Sequence, residues 1–66
     1  MAIYRLQAIL DYLHRVKRFV TANEVAEALG MGWTTAKADL KYLAQNGEII
    51  ERQSGKNKFI YRYKPN

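Results

Sequence analysis

Residues 21–49 read TANEVAEALGMGWTTAKADLKYLAQNGEI, and they contain the strongest local signals for the fold. Thr21 can cap a helix that starts at residue 22, and Glu24 three positions later completes the pattern of a capping box. Gly30 stands where that helix should end, because glycine readily adopts the left-handed conformation that closes a helix. The stretch therefore predicts a short helix over residues 22–29, followed by a tight turn over residues 30–32.

Another helix is predicted over residues 33–46, directly after the turn. Its apolar residues Ala36, Leu40 and Leu43 recur at helical spacing, so they share one face that should pack on the core. The dipeptide Asn46-Gly47 should end this helix. The opposite face is polar and basic, and it carries Thr34, Lys37, Ala38, Lys41 and Gln45.

Upstream of the capped helix, residues 3–17 are predicted to form an amphipathic helix. Its apolar side chains fall on one face, and they are Ile3, Leu6, Ile9, Leu10, Leu13 and Val16. Phe19 and Val20 form a short β-prone segment between the two helices. The N-terminal half of the chain therefore reads as helix, short strand and helix.

Downstream, residues 48–64 are predicted to form a β-hairpin around a turn at residues 54–57. Phe59, Tyr61 and Tyr63 alternate with polar or aliphatic residues, so these three aromatic side chains should face the helices. Ile49 and Ile50 are adjacent, so one of them must face away from the core. The whole pattern predicts an α+β fold that is mainly helical.

Composition limits what a chain of 66 residues can be. We predict one domain over residues 1–66, with little room for an enclosed catalytic cavity. No cysteine is present, and the single histidine, His14, cannot form a metal site alone. No carboxylate pair, activated nucleophile or glycine-rich phosphate loop is evident, so we expect no enzyme, cofactor, metal or small-molecule ligand. The N-terminus lacks the long apolar run of a signal peptide or membrane span, so we expect a soluble, cytoplasmic protein.

The net charge of +5 is unevenly distributed along the chain. Residues 1–36 carry four basic and three acidic side chains, whereas residues 37–66 carry seven basic and three acidic ones. A basic half on a small domain is typical of a surface that binds a polyanion, although such residues also keep small proteins soluble.

The order of helix, short strand, helix, tight turn, helix and hairpin resembles the winged helix-turn-helix family. The resemblance is carried by residues 21–30, 33–43 and 47–49. It implies that helix 33–46 lies in the major groove of double-stranded DNA and that the hairpin is a wing on the backbone. The recognition-helix contacts that it implies are Trp33, Thr34, Thr35, Lys37, Ala38 and Lys41. The wing contacts that it implies are Arg52, Lys56, Asn57, Lys58 and Arg62.

Three positions depart from the usual pattern of the family. Gly32 stands where a Ser or Thr cap is commoner, Ala38 replaces a longer polar residue, and Asp39 puts a negative charge on the flank of the recognition helix nearest the core. Together they argue against extensive base readout. Trp33 is ambiguous, because a large aromatic side chain at the edge of a core is more often packed than exposed.

A sequence-specific transcriptional regulator fits these observations best, and in a prokaryote or a virus it would be associated with the nucleoid. The alternatives are a protein–protein interaction module, a non-specific DNA-coating protein, and an RNA-binding domain that makes different contacts. Homodimerisation through the first helix is a further hypothesis. One recognition helix covers only a few base pairs, and Tyr4 and Tyr12 lie off the apolar stripe of the first helix.

Overall fold

The computed structural model describes residues 3–65, so Met1, Ala2 and Asn66 of the predicted domain lie outside the described residues. The elements in chain order are α1 (Ile3–Val16), β1 (Val20–Thr21), α2 (Ala22–Leu29), α3 (Trp33–Gln45), β2 (Ile49–Gly55) and β3 (Lys58–Tyr63). The predicted fold, three helices and a C-terminal hairpin, is confirmed. Within the described part of the chain, no helix is both long enough and apolar enough to cross a membrane.

The helices begin and end close to the predicted residues. α1 ends one residue earlier than predicted, because Lys17 takes a left-handed backbone conformation with a φ of 52°. α2 has the complete capping box: the backbone N–H of Glu24 donates to the Thr21 hydroxyl at 3.1 Å, and the backbone N–H of Thr21 donates to the Glu24 carboxylate at 3.2 Å. Gly30 closes α2 at a φ of 65°. α3 begins after Gly32, which makes no side-chain capping hydrogen bond, and ends at Gln45.

The core lies between the three helices and one face of the sheet. Its buried residues are Ile9, Leu13, Val20, Ala22, Val25, Ala26, Ala36, Leu40, Leu43, Ile49 and Tyr61. Phe59 and Tyr63 pack against this core, so the predicted inward orientation of the hairpin aromatics is confirmed. Ile49 is the buried member of the isoleucine pair, and Ile50 lies on the other face of the sheet.

The sheet is antiparallel with the strand order β1-β3-β2, so β3 lies in the middle. We call the face that packs on the helices the inner face, and it carries Val20, Ile49, Glu51, Gln53, Phe59, Tyr61 and Tyr63. The outer face carries Ile50, Arg52, Ile60 and Arg62. The hairpin turn contains only Lys56 and Asn57, because pairing continues through an irregularity to Gly55 and Lys58.

Candidate nucleic-acid interface

The first turn of α3 presents an exposed aromatic side chain. Trp33 is 52% exposed, so of the two interpretations left open by the sequence, packed or exposed, the structure shows an accessible ring. Trp33 stands at the first position of α3 and is not among the buried residues of this helix, which are Ala36, Asp39, Leu40 and Leu43. The ammonium of Lys37 lies 5.0 Å from the centroid of the Trp33 ring, in a cation–π contact. Thr34 and Ala38 are also exposed, whereas Thr35 is partly buried.

An open cleft of about 520 Å³ separates this end of α3 from the wing. Trp33 and Lys37 form one wall, and Asn57 and Lys58 form the opposite wall. The complete lining is Thr21, Ala22, Asn23, Trp33, Lys37, Ser54, Asn57, Lys58, Phe59 and Tyr61. Among these described residues none is acidic, so the two lysines set the sign of the local potential. A concave surface of this kind attracts an anionic polymer.

The wing contacts predicted from sequence do not form one group. Lys56, Asn57 and Lys58 lie together at the exposed turn, and the last two of them line the cleft. Arg52 and Arg62 instead lie on the outer face of the sheet, because successive side chains of a strand point to opposite faces. Arg62 directly follows the inward-facing Tyr61, and Arg52 pairs with Ile60, which directly precedes Tyr61.

Both arginines of the outer face approach the ring of Phe19. The guanidinium carbon of Arg52 lies 4.6 Å from the ring centroid, and that of Arg62 lies 6.0 Å from it. Phe19, Ile50 and Ile60 are partly buried, and the two isoleucines are the cross-strand neighbours of Arg62 and Arg52. The outer face is therefore a mixed apolar and cationic surface, separate from the cleft.

Lys41 is the predicted contact whose surroundings differ most from expectation. Its ammonium lies 3.0 Å from Oε2 of Glu51 in β2, and 4.1 Å from the centroid of the Phe59 ring. The same carboxylate oxygen accepts a hydrogen bond from the hydroxyl of Tyr61 at 2.7 Å. The hydrogen bond from Tyr61 lowers the pKa of Glu51, and the neighbouring Lys41 lowers it further. Burial beside this carboxylate raises the pKa of Tyr61.

Asp39 does not expose its negative charge on the surface that would face DNA. It is 1% exposed, and its carboxylate accepts two hydrogen bonds from the guanidinium of Arg5 in α1, one of them from Nη2 to Oδ1 at 3.2 Å. This ion pair corrects the interpretation of Asp39 as a negative charge that weakens the DNA-facing surface. Its spacing from Ala36 and Leu43, three and four residues, already indicated that it shares their buried face.

The model of the DeoR-like helix-turn-helix domain family matches residues 5–62, which is most of the chain. The chain belongs to this family. The predicted winged helix-turn-helix resemblance is thus confirmed, and with it the assignment of this DeoR-like domain to a class of DNA-binding domains.

A solved structure supports the same assignment. It is the solution NMR structure of the homodimeric winged helix-turn-helix DNA-binding domain, fragment 1–100, of Mb0332 from Mycobacterium bovis, described as a possible ArsR-family transcriptional regulator. The TM-score is 0.74 at 35% sequence identity, and the match covers 94% of this chain and 54% of that one. The DeoR-like domain thus spans about half of that structure. No curated protein matches the chain.

The fold adds candidate contacts that the sequence did not indicate. Ala22 and Asn23, at the start of α2, line the cleft together with the wing turn. Arg5 lies beside Thr34 and Thr35 at the other edge of α3, but its guanidinium is paired with Asp39. No local signal identifies these residues, because the packing of α1 brings Arg5 to α3 and the packing of α2 brings Ala22 and Asn23.

Proposed function

We propose that this DeoR-like domain binds double-stranded DNA in a sequence-specific manner and acts in transcriptional regulation. The N-terminal half of α3 enters the major groove, where Thr34 and Lys37 meet base edges, and the wing turn contacts phosphates. The cleft between Lys37 and Lys58 carries the proposal, since among the described residues that line it there is no carboxylate to repel a phosphate backbone. A protein with this function would be located with the DNA of the cell.

Salt dependence tests DNA binding itself. Each phosphate that a cation neutralises releases counterions, which gives a log–log slope of about −0.9 per contact on duplex DNA. A slope of roughly −3 to −4.5 is expected for random duplex DNA if three to five of the candidate cations without a carboxylate partner in the described part of the chain take part, which are Lys37, Arg52, Lys56, Lys58 and Arg62. Fluorescence anisotropy at several salt concentrations measures the slope. Binding that does not respond to salt, or none at low salt, would favour a protein–protein module.

Duplex RNA of matched length distinguishes the two nucleic acids. The major groove of RNA is too deep and narrow for α3, so DNA should compete better than RNA for the domain. Equal competition by the two duplexes would contradict major-groove docking and favour contacts with the phosphate backbone alone.

Two lysine substitutions separate base reading from backbone binding. Lys37→Ala should weaken binding to a selected duplex by about 1–3 kcal/mol more than binding to random DNA. Lys56→Ala should weaken both alike and make the salt slope shallower by about one unit. Lys64→Ala is the matched control, because Lys64 donates to the carbonyl of Gly47, away from the cleft. An equal loss on both duplexes for Lys37→Ala would identify a non-specific DNA-coating protein.

We also propose that the domain forms a homodimer through α1. Ile3 is 78% exposed and Tyr4 is 90% exposed, and the Mycobacterium bovis domain of similar fold is described as homodimeric. Tyr12 packs against the core instead, so it contributes less to such a surface than its position suggested. Two recognition helices in the dimer would lie about one DNA turn, ~34 Å, apart.

Sedimentation of the free protein and of its DNA complex tests this dimer. Tyr4→Arg should dissociate it, whereas Ala28→Arg, at an exposed position of α2, should leave it intact. A monomer under both conditions in the unsubstituted protein would contradict the proposal.

A further inference from the structure

One carboxylate oxygen of the wing, Oε2 of Glu51, has polar partners both in the wing and in α3. Oε2 of Glu51 accepts from the Tyr61 hydroxyl at 2.7 Å and lies 3.0 Å from the ammonium of Lys41. Tyr61 is 1% exposed, so its hydroxyl is held by the core and fixes the position of the carboxylate. The ring of Phe59, 4.1 Å from the Lys41 ammonium, holds the cation from a further direction. Lys41 is therefore bound to the wing at two points.

This arrangement gives the two lysines on the polar face of α3 different surroundings. Lys37 and Lys41 are four residues apart, so they point in the same general direction from the helix. Lys37 lies over the exposed ring of Trp33 and lines the cleft, with no carboxylate partner among the described residues to compete with incoming DNA. Lys41 instead shares its charge with Glu51, and a phosphate would have to compete with that carboxylate for it.

We propose that Glu51 is a specificity-determining positioning residue of the DNA interface, which withholds Lys41 from phosphate and holds the wing against α3. The inference rests on the proposed DNA-binding function. Free cations strengthen binding to every DNA sequence, because phosphate contacts carry no sequence information. Pairing Lys41 internally lowers non-specific binding. It also fixes the separation of α3 and the wing before DNA arrives, which reduces the ordering that binding requires.

Glu51→Gln tests this role with the smallest structural change. Glutamine has the same shape, and its carbonyl oxygen can still accept from the Tyr61 hydroxyl, but it has no charge to hold Lys41. The freed ammonium should reach a phosphate, and the log–log salt slope on random duplex DNA should become steeper by about 0.9. Affinity for random DNA at low salt should rise several-fold, and the ratio of selected to random affinity should fall.

Two control variants isolate the contribution of Lys41. Glu48→Gln removes an exposed acidic side chain at the start of the wing and changes the net charge by the same amount, so it should leave the slope close to that of the unsubstituted protein. Adding Lys41→Met to Glu51→Gln should abolish the gain in slope. If Glu51→Gln does not fold, Glu51→Asp, which keeps the charge but withdraws it from Lys41 by one methylene, should steepen the slope in the same direction.

The outcomes separate the inference from the proposed function. No salt-dependent DNA binding by the unsubstituted protein would overturn both. Normal binding together with an unchanged slope in a folded Glu51 variant would overturn only the role of Glu51. A gain of equal size in Glu48→Gln, or a gain that persists when Lys41 is removed, would overturn it as well, because net charge alone would then explain the change.

Discussion

α2 and α3 are neighbours in sequence, but different kinds of interaction hold them. α2 begins at a capping box and ends at Gly30, so its limits depend on contacts within residues 21–30. α3 begins at Gly32 without a side-chain cap. Its polar side chains instead reach other elements: Asp39 pairs with Arg5 in α1, 34 residues away, and Lys41 pairs with Glu51 in β2, 10 residues away.

The helix proposed to read DNA is therefore the one of the two that has no side-chain cap and is connected by ion pairs to distant elements. A capped helix such as α2 can form from local information, since its end groups find partners within one turn. α3 depends instead on its buried face and on two ion pairs that connect it to α1 and to the wing. Substitutions that remove or add one kind of contact at a time separate these contributions.

The largest effect is expected from the buried face of α3. Leu40 is completely buried, and Leu40→Ala should lower the free energy of unfolding by about 2–5 kcal/mol, through lost transfer energy and the cavity left behind. Gln45→Ala, at an exposed position of the same helix, should change it little. Denaturant unfolding followed by circular dichroism measures both. A stability loss as small as that of the control would show that α3 does not depend on this contact.

A smaller effect is expected from the ion pair between α1 and α3. Arg5→Met leaves the Asp39 carboxylate buried without a cation, so the melting temperature should fall by less than for Leu40→Ala and by more than for loss of a helix cap. Arg15→Met, at an exposed position of α1, is the control. Adding Asp39→Asn to Arg5→Met should recover part of the loss, since it removes the unpaired charge. No recovery would indicate that Arg5 stabilises the fold by packing alone.

Removing the cap of α2 should lower the free energy of unfolding by less than removing the cation of the ion pair does. Thr21→Ala removes the acceptor for the backbone N–H of Glu24 and should cost about 0.5–2 kcal/mol of stability. Thr34→Ala, at an exposed position of α3 that is not a cap, should cost less. Equal losses in the two variants, measured by thermal unfolding, would contradict the assignment of the stabilisation to the capping box.

The smallest effect is expected from adding the cap that α3 lacks. Gly32 has a φ of −67° and a ψ of 147°, and a Cβ there would meet Thr35 Oγ1 at 3.9 Å, an ordinary contact. Gly32→Ser should therefore stabilise the domain by a few tenths of a kcal/mol. Gly30→Ser, at a φ of 65°, should destabilise it instead, because serine is strained in the left-handed conformation. Stabilisation by both variants would show that backbone geometry does not control these two positions.

Much of the fold was predictable because its signals act over short distances. Helical spacing identified Ala36, Leu40 and Leu43 as buried, and strand alternation placed Phe59 and Tyr61 on the inner face. These patterns depend only on the direction in which successive side chains point. The candidate site was predicted less well. Its residue types and its two elements followed from the sequence and the family resemblance, but the exposure of Trp33 and the separation of Arg52 and Arg62 from the wing turn did not.

The amino-acid sequence alone was sufficient for the order and type of the elements, the capped start of α2 and the faces that form the core. The tertiary structure decided which polar side chains on those elements remain available to DNA. It paired Asp39 with Arg5, bound Lys41 to Glu51, and left Lys37 beside the cleft. The physical reason is range: caps and periodicity operate within a few residues, whereas an ion pair between distant residues exists only after packing has brought its partners together.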